Sequence, residues 1–102
     1  MLARTLIIRA DASIAIATGH VMRCLALAEA WQDAGGNVVF AMAESTPAIE
    51  ARLHLEGMEI VQLNASPNSI EDARTVSALA NDRQATWVIV DGYRFEDRKS
   101  VV

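Results

Sequence analysis

Cysteine is almost missing from this chain. Cys24 is the single one in 102 residues, which excludes an internal disulfide and a cysteine-built metal cluster. The two histidines, His20 and His54, lie far apart and have no partner at metal-ligand spacing, so no metal is expected. Basic residues are the minority, nine against 13 acidic ones, for a net charge of −4. With no basic stripe to displace counterions, nucleic acid is excluded as a partner. No apolar run reaches membrane-spanning length. The N-terminus also lacks the basic region, apolar core and cleavage site of a secretory leader, so the cytoplasm is the default expectation. Repeats, linkers and low-complexity tracts are absent too.

What is present is a chain that is 52% hydrophobic and only 22% charged, the composition of a globular protein rather than a disordered one. Its length suits one domain, residues 1–102, at the lower end of independent stability. Apolar runs alternate with helical stretches. Leu6 to Arg9 is the first predicted strand, and a helix follows from about Gly19 to Ala34, ended by Gly35-Gly36. Residues 37–41 form a second strand. Pro47 sits where a first helical turn tolerates proline, and that helix runs to about Leu55, before Gly57. Residues 59–63 are a third strand. Ser69 can cap a third helix to about Asn81, with Asp72 at its N3 position in a near capping box. Residues 86–90 are the fourth strand and end at Asp91.

Strands and helices alternating at this length predict an α/β fold, a Rossmann-like parallel sheet in strand order 3-2-1-4. Strands 1 and 4 are then neighbours, and the chain reverses direction between them. Open sheets of this kind bind ligands outside the carboxyl ends of the strands at that switch point. Asp11 to His20 follow strand 1 and Asp91 to Tyr93 follow strand 4, so the two segments should share one rim.

The first of these segments is a small-residue loop closing on Thr18-Gly19-His20 at a helix start. First-turn N–H groups have no partner within the helix and carry partial positive charge, which suits a phosphate. The same potential disfavours imidazolium, so His20 should be neutral and able to take a proton from water; alternatively it only closes the turn. Asp11 and Asp91 can orient an imidazole, hold a sugar hydroxyl or cap a neighbouring helix. Arg23, on the helix face of His20, can reach a phosphate or pair with Asp11. Arg9 carries the same two readings. Gly19 permits close backbone approach, Thr18 is the natural N-cap and Ser13 offers a loop hydroxyl outside any nucleophile elbow. Tyr93 can meet a sugar or simply pack. Cys24, Leu27, Ala28 and Trp31 follow helical spacing and read as core, and His54 as solvated surface.

The residues Arg9-Ala10-Asp11-Ala12-Ser13, then Ile16-Ala17-Thr18-Gly19-His20-Val21-Met22-Arg23-Cys24-Leu25-Ala26-Leu27-Ala28, with Asp91-Gly92-Tyr93 later, resemble one family. It is the UDP-sugar hydrolase family of pseudaminic acid biosynthesis, with its spore-coat-polysaccharide and flagellin-modification relatives. The resemblance spans the chain but only the N-terminal part of a family member, and Ala17 stands where the family has glycine. It implies the N-terminal domain of a glycosyltransferase-B-like architecture whose C-terminal domain holds the nucleotide. It further implies removal of UDP from a 2,4-diacetamido-2,4,6-trideoxy hexose by water, without cofactor or metal. His20 would be catalytic, and Arg9, Asp11, Ser13, Thr18, Gly19, Arg23, Asp91 and Tyr93 would line the substrate. Two rival readings are a glycosyltransferase acceptor domain and a non-catalytic domain that self-associates through exposed apolar surface.

Overall fold

A computed structural model of the protein describes residues 4–11, 19–66 and 69–90, the side chains of residues 19–22 excepted. Seven elements follow one another as β1 (Thr5–Arg9), α1 (Gly19–Asp33), β2 (Asn37–Met42), α2 (Pro47–Leu55), β3 (Glu59–Gln62), α3 (Ile70–Arg83) and β4 (Trp87–Val90). The strands form one sheet in order β3-β2-β1-β4, and every pairing is parallel. Ile8 registers with Phe40 on one side and Ile89 on the other, so β1 lies inside the sheet. The expected strand order is the observed one.

Parallel strands covered on both faces read as unbroken apolar runs, as Leu6-Ile7-Ile8 and Val38-Val39-Phe40 do. Alternate residues of these runs feed two cores. Leu6, Ile8, Val38 and Phe40 pack with Cys24, Leu25 and Ala28 of α1 and Ile49 and Leu53 of α2. Ile7, Val39 and Ala41 meet Val76, Leu79 and Ala80 of α3 on the opposite face. Fully burying a side chain of this size contributes about 1.5–3 kcal/mol, so the two faces carry most of the stability.

Local chemistry sets the element ends. The Thr46 hydroxyl accepts from the Ile49 N–H and Pro47 opens α2. Ser69 accepts from the Asp72 N–H at 3.0 Å and starts α3. That helix runs two residues beyond the expected Asn81, to Arg83, because Gln84 takes up the left-handed conformation (φ 53°) normally left to glycine. The chain then closes as the Ala85 N–H bonds the Ala80 carbonyl at 2.9 Å. Gly35, at φ +94°, ends α1 as expected. At Gly36 a Cβ would run into the Trp31 indole and stand 3.0 Å from the Arg4 carbonyl oxygen.

Two expected core positions on α1 differ. Leu27 is 45% exposed, whereas Leu25 is buried. Residues 24, 25, 28 and 31 define the inward arc at about 100° per residue, and Leu27 falls on its flank. Trp31 is half-buried: its ring packs on the core while Nε1 donates to the Arg4 carbonyl at 3.1 Å. His54 is exposed, as expected.

The sheet edges are unlike one another. On β3, Glu59 is held by a bidentate pair from Arg83 at 2.6 and 2.8 Å. On β4, Trp87 is 62% exposed and Val88 and Val90 are 38% exposed. Among the described residues, no helix is long and apolar enough to cross a membrane.

Candidate functional site

The site is built at the carboxyl end of β1. Arg9, last in the strand, registers with Ala41 and Val90. By the alternation of the strand its side chain falls on the α3 face, the same face as Ile7. There it meets Asp72, in the first turn of α3, 63 residues away. Nε donates to Asp72 Oδ1 at 2.8 Å and Nη2 to Asp72 Oδ2 at 2.7 Å. The other edge of the guanidinium grips Asp11, Nη1 to Oδ1 at 2.7 Å and Nη2 to Oδ2 at 3.2 Å. Nη1 also reaches the Ala41 carbonyl at 3.5 Å. An arginine has five N–H donors, and here each has a protein acceptor.

Asp11 turns this pair into a junction of two strands and a helix. Its Oδ1 accepts from the Ala43 N–H at 2.8 Å and the Glu44 N–H at 3.1 Å, just past the end of β2. Its Oδ2 takes one described hydrogen bond, that from Arg9. The cluster joins the end of β1, the exit of β2 and the start of α3. The Arg9 and Asp72 side chains are each 7% exposed and that of Asp11 is 13% exposed. Burial works against the Arg9 charge, but the hydrogen bonds it donates to Asp72 and Asp11 outweigh it and raise the guanidinium above its ordinary pKa. One fixed cation between two carboxylates leaves the junction with a net charge of about −1 when both are ionised.

Of the residues expected to line substrate, Arg9 and Asp11 are brought together, with Arg9 turned onto protein carboxylates. Gly19 and His20 are the first two residues of α1, and Arg23 lies at an exposed position of that helix. Ser13, Thr18, Asp91 and Tyr93 lie outside the described residues, as does the His20 side chain. Val90, which Asp91 follows, registers with Arg9, so the strand ends carrying the two motifs are neighbours. No group of three or more His, Cys, Asp or Glu side chains that could hold a metal occurs among the described residues.

Asp72 is the residue that the sequence pattern did not single out for the site. It reads as an N3 capping carboxylate, and its backbone does serve the Ser69 cap. The available signal was Arg9 itself: an arginine ending a strand covered on both faces needs a second buried anion.

No family model matches the chain, and no curated protein matches it. Among solved structures it is similar to a glycosyltransferase from Rickettsia africae ESF-5. The TM-score is 0.67 at 13% identity, over 88% of this chain and 24% of that one. The chain thus spans about a quarter of the length of that structure. At this identity the likeness is one of fold: a Rossmann-like parallel α/β sheet of the kind a glycosyltransferase contains.

Proposed function

We propose that this chain is the N-terminal, sugar-facing domain of a nucleotide-sugar enzyme, and specifically of a hydrolase releasing UDP from a diacetamido-trideoxy hexose. The observation that carries the reading is the switch-point rim. The Arg9–Asp11 junction ends β1 beside β4, and the chain from it leads to Gly19 and His20 at the start of α1. In this reading the first turn of α1 faces the diphosphate, since helix N-termini favour anions. The anionic junction at Asp11 suits neutral donors such as sugar hydroxyls. His20 takes a proton from water as the water oxygen bonds to the anomeric carbon, and the sugar–oxygen bond to UDP breaks with UDP leaving. The second half of the enzyme supplies the nucleotide site.

The test is UDP release from the diacetamido sugar nucleotide by this chain joined to the C-terminal domain of such a hydrolase. A positioned acid–base group contributes about 10²–10⁴-fold, so His20→Ala should lose turnover by that factor with little change in melting temperature. Unchanged turnover would end the assignment. The glycosyltransferase fold of the structural neighbour supports a second reading, transfer to an acceptor hydroxyl. Product analysis separates the two: free sugar supports hydrolysis, and a glycosylated acceptor supports transfer.

A further inference from the structure

We propose that Asp72 is a positioning residue for the rim: through Arg9 it fixes the direction in which Asp11 holds the chain leaving β2. That the held carboxylate serves a sugar rests on the reading above; the clamp itself rests on geometry. Asp11 is 13% exposed, more than Arg9 or Asp72, and its described partners are Arg9 and two backbone N–H groups. Arg9 by itself would not fix its direction, because a guanidinium on a long side chain has many rotamers. The bidentate contact with Asp72 removes that freedom. Nε and Nη2 are both taken from the α3 side, at 2.8 and 2.7 Å, which sets the plane of the guanidinium. Only the Nη edge is then left to face Asp11, and it does so with both oxygens engaged.

A lysine could not do this, having one point charge and no planar fork. Asp72 is itself anchored, with its backbone N–H tied to Ser69 in the first turn of α3 and its side chain 7% exposed. The order of control therefore runs from the α3 start to Arg9, from Arg9 to Asp11, and from Asp11 to the Ala43 and Glu44 N–H groups. The inference is specific. Loosening α3 at its first turn should loosen the Ala43–Glu44 segment, which Asp72 reaches through Arg9 and Asp11.

Amide hydrogen exchange by NMR on the 102-residue chain tests it. Asp72→Asn should speed exchange at Ala43 and Glu44 by about tenfold or more. It should also shift the Arg9 Nε–H resonance, while Gly57 and Met58, whose acceptors lie within α2, keep their rates. The double variant Arg9→Met/Asp72→Leu removes the charges together and guards against misfolding of the single one. It should show the same local loss at Ala43 and Glu44. Wild-type protection at these two amides in either folded variant would overturn the proposal. So would a loss shared equally with Gly57 and Met58, which would mark a general effect on stability. Failure of the hydrolase reading would appear in the UDP-release assay and leave these exchange rates as they are.

Discussion

Replacing Arg9 by methionine tests whether the junction at the end of β1 is held by its cation. Methionine matches the aliphatic stem in bulk but leaves Asp11 and Asp72 facing each other without the guanidinium between them. Removing one partner of a buried ion pair costs about 3–5 kcal/mol, mainly because the remaining charge is stranded. A domain of this size has about 5–15 kcal/mol in all. Each kcal/mol corresponds to about 4–8 °C in melting temperature, so the variant should melt about 12 °C or more below the parent near pH 7.

The pH dependence of the loss carries the sharper test. In the variant the Asp72 carboxyl, 7% exposed, has lost its cation, and burial then favours its neutral form. A carboxyl whose folded pKa lies above its unfolded value binds more protons when folded, so acid stabilises the fold relative to neutral pH. The gap between variant and parent should therefore be smaller at an acidic pH than at pH 7. Urea denaturation followed by circular dichroism at the two pH values measures this. A loss below about 1 kcal/mol near pH 7, or a loss that does not change with pH, would refute the account of Arg9 as a buried bridge. The further change Asp72→Leu in the variant should recover part of the loss, since apolar replacement of a whole buried pair is often close to neutral.

Phe40→Ala, at a fully buried position of the sheet, should cost about 3–5 kcal/mol in urea denaturation; a cost below 1 kcal/mol would place Phe40 outside the core. The Arg83 hydrogen bond holds the Glu59 carboxyl below its ordinary value of 4.5, so the pair stabilises above that value and its contribution fades as pH drops through the lowered one. Both side chains are substantially exposed, so Glu59→Gln should remove only about 0.2–1 kcal/mol at neutral pH, and nothing once Glu59 is protonated; a larger cost in acid would reverse the sign argued here. UDP titrated calorimetrically into this chain should bind weakly or not at all, because the proposed nucleotide site belongs to a second domain. Saturable micromolar binding would show a nucleotide site within these 102 residues.

The fold was legible because its signals are local. Leu6-Ile7-Ile8 and Trp87-Val88-Ile89-Val90 are apolar runs too short for helices, and each helix carries its own start or stop in Gly35, Pro47 or Ser69. Strand order then follows from right-handed crossovers together with the common Rossmann-like half, which need no side-chain detail. Local reading fell short where one position had two local solutions. Gln84 ends α3 without the glycine that a sequence pattern looks for, and Leu27 sits at the margin of the inward arc of α1, where spacing alone cannot decide burial.

The candidate site divides along the same line. Arg9 and Asp11 stand two residues apart, and their position at a strand end was enough to mark them. Their partner was not, because Asp72 lies 63 residues from Arg9 and has a complete local explanation as the third residue of a capped helix. A residue that satisfies a local rule gives no sign that it also satisfies a distant one. Charge accounting would have supplied the sign. Arg9 ends a strand flanked by β2 and β4 and covered by α3, so its guanidinium could not be left with a single partner, and an ionised group there needs every donor matched. Of the acidic residues on α3, only Asp72 points inward with Val76, one turn before it on the helix face that meets Ile7 and Val39. The pairing of Arg9 with Asp72 thus follows once the sheet order and the inward face of α3 are both known. It is a property of the fold as a whole, and neither segment states it alone.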